Sequence, residues 1–222
     1  MNSTLRWAST LFGYGSAKRI ERSRFRAQNT IKRTRWPKKT LKKIPEILHK
    51  KPNANVFFFD EGRFGFHPIT GRMWAEKGVR PTVVVKHGYK NFYVYSSVSP
   101  ITGEHISLFL PFVNTSMMNL YLDHMSDAIG DKQCFLIMDQ AGWHKSGELK
   151  CHSNIEIVYL PPYSPELNPV ERLWQWLKRH SLRNRFHLDL EAMMDAVQEC
   201  LQTATPSFLQ SLCHCGYLLH PD

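Results

Sequence analysis

The stretch CFLIMD, residues 134–139, places five apolar residues directly before a carboxylate. The stretch VFFFD, residues 56–60, repeats this design earlier in the chain. Strands without alternating polar residues are buried on both faces, so both stretches are expected in the middle of a covered sheet. If the two strands are parallel neighbours, Asp60 and Asp139 emerge at the same carboxyl edge, where α/β sheets place their ligands.

Further strands and helices are predicted around these two stretches. Apolar runs rich in β-branched and aromatic residues predict six strands, at residues 56–59, 82–85, 92–98, 106–110, 134–138 and 155–160. Helical spacing predicts helices at residues 115–129, with Thr115 as N-cap, at 168–182 and at 188 to about 204. This order indicates an α/β or α+β domain with a mixed sheet.

A third carboxylate, Glu171, follows the N-cap expected at Asn168 and the proline at position 169. Capping and the helix dipole can explain a glutamate at this position without any chemistry. The apolar stripe of this helix places Glu171 on a different face, which can look across the sheet edge. That stripe consists of Val170, Leu173, Trp174 and Leu177.

Three carboxylates that converge repel one another and raise one another's pKa. A divalent cation resolves this conflict, and ligation by oxygen alone suits Mg²⁺ or Mn²⁺. Two such ions about 4 Å apart can activate an attacking oxygen and stabilise a leaving oxygen in phosphodiester chemistry. We therefore predict that Asp60, Asp139 and Glu171 are both the metal ligands and the catalytic residues.

The charge of the chain is concentrated in its first quarter. Residues 1–51 hold 15 of the 29 Lys and Arg but two of the 19 acids, a net charge of +13 that leaves −3 for the remainder. Such a segment favours a polyanionic partner, because binding to phosphates releases counterions. A solvated tail or an organellar transit peptide remains an alternative. Five cysteines without framework spacing favour a reducing compartment, the cytoplasm.

Three motifs together resemble the DDE transposases of the mariner superfamily, in its bacterial insertion-sequence branch. They are FFFDEGRFG at 57–65, LIMDQAGWHKS at 136–146 and LPPYSPELNPVERLW at 160–174. The resemblance covers roughly residues 53–182 and carries the family's catalytic triad onto Asp60, Asp139 and Glu171. It implies a ribonuclease H-like domain, with a central mixed five-stranded sheet flanked by helices, at residues 53–222.

The resemblance also implies an activity and partners. The activity is cleavage at element ends that depends on Mg²⁺ or Mn²⁺, two ions being expected, and strand transfer of the freed 3′-hydroxyl. The partners are double-stranded DNA, as element ends and target, and a second copy of the chain in a homodimer. A structure-specific nuclease or an inactive or domesticated DNA-binding relic are the alternatives. Residues 1–52 are expected to be a basic DNA-contacting arm or the remnant of a helix-turn-helix region, in a truncated copy or the second frame of a split element.

Smaller signals concern individual residues. His144 matches a histidine common in the family and is an auxiliary candidate that could contact a phosphate or orient a water; a helix contact or a surface position is equally open. Glu61 is expected to point away from the site and to have a supporting or structural role. Residues expected to contact DNA are Arg33, Arg35, Lys38, Lys39, Lys42, Lys43, Lys178, Arg179 and Arg183.

Overall fold

The computed structural model describes residues 54–150, 152–162 and 164–216. In this part of the chain, five strands form one mixed sheet in the order β3-β2-β1-β4-β5. The strands are β1 Asn55–Gly65, β2 Asn91–Val98, β3 His105–Leu110, β4 Cys134–Met138 and β5 Ile155–Tyr159. The predicted α/β fold with a central mixed five-stranded sheet is confirmed.

The helices are α1 Thr115–Ile129, α2 Val170–Leu177, α3 Leu190–Gln202 and α4 Pro206–Leu212. The N-cap of α1 is Asn114 rather than Thr115, because the extended Asn114 accepts a hydrogen bond from the amide of Met117. Helix α2 begins later than predicted, since a 3₁₀ turn occupies Pro165–Leu167, and it continues into a π-helical turn at Lys178–Leu182. Helix α4 was not predicted.

Strands β1 and β4 are parallel neighbours, with Phe58 in register with Ile137. Asp60 lies two residues after Phe58 and Asp139 two residues after Ile137, so the register places the two aspartates level with each other where β4 ends. The end of the first strand predicted at Phe59 is wrong, because β1 contains Asp60 and continues to Gly65. The apolar residues of both strands are buried on both faces. One face packs against α2, α3 and α4, and the other packs against α1.

The strand predicted at residues 82–85 is wrong. Residues 66–90 connect β1 to β2 outside the sheet, and Val84 within them is 74% exposed. A β-branched run forms a strand where a neighbouring strand and a buried face are available, and this segment has neither among the described residues.

The basic segment at residues 1–52, including its six predicted DNA contacts, lies outside the described residues. Those contacts are Arg33, Arg35, Lys38, Lys39, Lys42 and Lys43. Of the helices that the structure describes, none combines the length and the apolar character required to cross a bilayer.

Candidate active site

Asp60, Asp139 and Glu171 line one cleft of about 410 Å³, which lies where β4 ends beside the middle of β1. Strand β1 supplies Asp60, the residue after β4 is Asp139, and the first turn of α2 supplies Glu171. The other residues that line the cleft come from the segments after β4 and β5, and they are Gln140, Ala141, Lys145, Leu160, Pro161, Pro162, Ser164, Pro165 and Asn168. Three acids far apart in sequence therefore share one cleft in this fold.

Asp60 is held by the helix that carries Glu171. The indole Nε1 of Trp174, three residues after Glu171, donates a hydrogen bond of 2.8 Å to Oδ2 of Asp60. Burial raises the pKa of Asp60 to about 7; the negative charges of Glu61 and Glu171 add to the rise, and the bond from Trp174 opposes it. A cation in the cleft would favour the ionised form of this carboxyl group.

The start of α2 is fixed to β1 through Asn168. Its side-chain amide is buried and donates a hydrogen bond of 2.8 Å to the carbonyl of Phe59, while its Oδ1 accepts from the amide of Val170 at 3.2 Å. Asn168 thus joins the residue before Asp60 to the residue before Glu171. The N-cap predicted at Asn168 is wrong, because α2 begins at Val170 and its N-cap is Pro169.

Asp139 is the most open of the three, with its side chain 59% exposed. Its Oδ1 accepts hydrogen bonds from Nδ1 of His144 at 2.8 Å and from the amide of Ala141 at 3.1 Å. The hydrogen bond from His144 holds the pKa of Asp139 below its ordinary value. This carboxylate is ionised at neutral pH and faces the cleft with one oxygen already oriented.

His144 lies inside the protein, so a surface position for this histidine is wrong. Its side chain is 1% exposed, and its Nε2 lies 2.9 Å from Oε1 of Glu61 while its Nδ1 lies 2.8 Å from Oδ1 of Asp139. With both ring nitrogens engaged, neither is available to a phosphate or a water in the cleft. Burial favours the neutral ring, but the bonds to Asp139 and Glu61 prevail and raise the pKa of His144 to about 9.

The donor set of the cleft suits a hard divalent cation, because the three carboxylates offer oxygen alone. The expected convergence within a few ångströms is met only in part. Within the described ranges, no three His, Cys, Asp or Glu side chains are gathered closely enough to hold a metal ion as they stand. The residues therefore fit the chemistry of Mg²⁺ or Mn²⁺ without forming a closed ligand cage.

The basic residues predicted near α2 differ in their surroundings. Arg179 is exposed, and the ammonium of Lys178 lies 5.5 Å from the ring centroid of Phe64. Arg183 instead donates a hydrogen bond to the backbone carbonyl of Arg72, so this guanidinium is partly engaged in holding the segment between β1 and β2.

The model of the DDE superfamily endonuclease family matches residues 55–194, well over half of the chain. The chain belongs to this family. The matched region contains the five strands that the structure describes, the cleft and helix α2, so the family's domain surrounds the site described above.

Two curated relatives extend the comparison. An uncharacterized protein of Sinorhizobium fredii is 39% identical over 109 residues, which are 49% of this chain and 78% of that protein. An uncharacterized 39 kDa protein of insertion element IS630 from Shigella sonnei is 27% identical over 156 residues, 68% of this chain. The chain spans 46% of the length of the insertion-element protein.

Solved structures give the same fold. The Mos1 mariner paired-end complex with Mn matches with a TM-score of 0.64 at 17% identity, over 90% of this chain and 64% of that one. The catalytic domain of Mos1 mariner transposase matches with a TM-score of 0.57 at 16% identity, over 80% of this chain and 84% of that domain. The mixed sheet with flanking helices is therefore the ribonuclease H-like architecture that the motifs implied.

Three side chains make contacts at the site that the sequence does not predict. The sequence predicts a core position for Trp174, although its spacing from Glu171 places it about one turn along the same helix. For Asn168 the sequence predicts capping alone. Lys145 lines the cleft and donates a hydrogen bond to the side chain of Gln140. The one sequence feature that indicates a place for Lys145 near the site is its position six residues after Asp139.

Proposed function

We propose that this chain is the catalytic part of a transposase that cleaves DNA at the ends of its element and transfers the freed strand into target DNA. The observation that carries the proposal is the shared cleft of Asp60, Asp139 and Glu171, which lies where β4 ends beside its parallel neighbour β1. The similarity to an insertion-element protein supports the choice of transposition over another reaction of DNA phosphodiesters.

In this proposal, Asp60, Asp139 and Glu171 hold two divalent ions, Mg²⁺ or Mn²⁺. When bound, such ions lower the barrier by activating the attacking oxygen and stabilising the charge on the leaving oxygen. The protein supplies the rest: Trp174 orients the carboxylate of Asp60, and Asn168 fixes the angle between β1 and the helix that carries Glu171. In this proposal the scissile phosphate lies in the cleft, between β1 and the helix that carries Glu171.

We assign contacts with the DNA backbone to the basic residues beside the cleft. Lys145 lies on the cleft wall, and Arg179 is exposed on the π-helical turn after α2. Lys178 and Arg183 are weaker candidates, since both have partners within the protein. Together with the basic arm, these contacts predict binding that weakens steeply as the salt concentration rises.

The proposal extends to assembly and location. Two DNA ends must be brought together for transposition, so a homodimer is the smallest assembly that offers one cleft to each end. DNA as the substrate places the protein in the bacterial cytoplasm, at the nucleoid. Sedimentation with and without DNA ends tests the dimer.

A strand-transfer assay tests the function. The substrates are pre-cut oligonucleotide ends, taken from the inverted repeats that flank the gene, and a plasmid target with Mn²⁺. We expect joined products with the wild type, none with Asp139→Asn, and wild-type yield with the exposed control Asp131→Asn. Cleavage without joining would assign a nuclease instead, and DNA binding without either reaction would assign an inactive relic.

A further inference from the structure

Glu61 is a carboxylate buried beside the candidate active site but outside its cleft. Its side chain is 7% exposed, and it follows Asp60 on β1. Successive residues of a strand face opposite sides of the sheet, so Glu61 lies on the α1 side while Asp60 lies on the α2 side. A buried carboxylate requires partners, because an unpaired one carries a large desolvation cost.

Two donors converge on one oxygen of this side chain. Oε1 of Glu61 accepts hydrogen bonds from Nε1 of Trp143 at 3.0 Å and from Nε2 of His144 at 2.9 Å. Both donors belong to the short 3₁₀ turn Gly142–Lys145 that follows Asp139. Glu61 therefore ties the loop after β4 to strand β1.

His144 also connects Glu61 to Asp139. Its other nitrogen, Nδ1, lies 2.8 Å from Oδ1 of Asp139, so one imidazole bridges the two carboxylates. The ring is further held by an edge contact with Phe59 at 5.7 Å between centroids, and the hydroxyl of Tyr159 donates to the carbonyl of His144. Within the described residues, no hydrogen bond reaches Oδ2 of Asp139, which leaves that oxygen for the cleft.

We propose that Glu61 is a positioning residue that acts through His144 to fix the orientation of the Asp139 carboxylate for metal binding. The proposal rests on the proposed function, because it takes Asp139 as a metal ligand. Strand β1 then contributes two residues to the site: Asp60 lines the cleft, and Glu61 holds the histidine that contacts Asp139. Partners that orient a metal-binding side chain typically change metal affinity or activity about 10- to 100-fold when removed.

Mn²⁺ titrations of the full chain test the role of Glu61, by calorimetry without DNA and by nicking of supercoiled plasmid. In Glu61→Ala we expect the half-saturating Mn²⁺ concentration to rise at least about tenfold in both assays, with much of the nicking rate restored at saturating Mn²⁺. A purely structural role would lower the folded fraction and leave the half-saturating concentration unchanged. Glu199→Gln, an exposed acid on α3, is the matched control.

A double mutant tests the route through His144. If Glu61 acts through the histidine, Glu61→Ala changes the half-saturating Mn²⁺ concentration far less in a His144→Ala background than in the wild type. Equal effects in both backgrounds would overturn the proposed route. If Glu61→Ala does not fold, Glu61→Gln takes its place in the test. Glutamine keeps an acceptor oxygen but removes the charge, so we expect the half-saturating Mn²⁺ concentration to rise at least about threefold.

The two proposals fail in different ways. A wild-type chain that neither binds Mn²⁺ nor nicks DNA would overturn the proposed function and this inference with it. A wild-type chain that does both, while folded Glu61→Ala and Glu61→Gln keep its Mn²⁺ affinity and half-saturating concentration, would overturn the inference alone.

Discussion

The side-chain amide of Asn168 donates a hydrogen bond of 2.8 Å to the carbonyl oxygen of Phe59. This bond links the loop before α2 directly to the residue before Asp60. The two residues are 109 positions apart in sequence, and the bond between them is buried. It fixes the distance between the strand that carries one carboxylate and the helix that carries another. The geometry of the cleft therefore depends on a residue that has no carboxylate of its own.

Removing this link should reduce both stability and activity. Asn168→Ala leaves the carbonyl of Phe59 buried without its donor, which we expect to lower the free energy of unfolding by about 1–3 kcal/mol. Nicking should fall even where the variant is fully folded, because Glu171 is no longer held at its angle to Asp60. Urea unfolding and plasmid nicking measure the two effects, and unchanged nicking in the folded variant would contradict the role of the link.

Glu171→Gln should abolish nicking without affecting folding. The amide keeps the size of the side chain but removes the charge that a divalent cation requires. Glu166→Gln is the matched control, since Glu166 is exposed in the 3₁₀ turn just before α2. Thermal unfolding should show the same midpoint for both variants, while nicking survives in the control alone. Nicking by Glu171→Gln at the wild-type rate would remove Glu171 from the site.

Asp60→Asn should stabilise the metal-free protein at high pH. Burial raises the pKa of Asp60 to about 7, so the folded state binds a proton more tightly than the unfolded state, where the value is near 3.8. The stability that this proton contributes is present below about pH 4 and is lost as the pH rises towards 7. At pH 8 with chelator, the asparagine variant avoids a buried charge and should gain on the order of 2 kcal/mol.

Thermal unfolding at pH 4 and pH 8 measures this difference. The advantage of Asp60→Asn should shrink towards pH 4, and saturating Mn²⁺ should reverse it at pH 8, because the cation stabilises only the ionised wild type. A variant that is less stable than the wild type at pH 8 in chelator would contradict the raised pKa of Asp60.

Gly62 is required by the indole that holds Asp60. A Cβ at this position would lie 2.8 Å from the Trp174 ring, closer than packed atoms approach. We expect Gly62→Ala to displace Trp174 and to cost about 1–3 kcal/mol, with a loss of nicking. Gly147→Ala is the control, since a Cβ there meets nothing within 4 Å. Equal stability and nicking in the two variants would show that the ring is not confined.

The central pair of strands could be predicted because its signal is local. Residues 56–59 within β1 and the whole of β4 are apolar at every position, and an aspartate follows each of these two stretches. Burial on both faces leaves little choice of place in the sheet. The position of Glu171 followed from the apolar stripe of its helix. The pattern and the family resemblance together predicted that these three carboxylates meet, and their catalytic and metal-binding roles stay a prediction.

The supporting contacts could not be predicted, because they depend on how the strands and loops pack. Glu61 and His144 are 83 positions apart, and nothing in either segment indicates that an imidazole spans the end of β4. The prediction for residues 82–85 failed for the opposite reason: their composition is that of a strand, but no strand in the described part of the chain pairs with them.

A crystal of the full chain grown with Mn²⁺ tests the central claim most directly, through the anomalous signal of the metal. The account predicts anomalous density in the cleft, within coordination distance of carboxylate oxygens of Asp60, Asp139 and Glu171, and its loss in Asp139→Asn crystals. Density at another place in the protein, with the cleft empty in a preparation that nicks DNA, would contradict it.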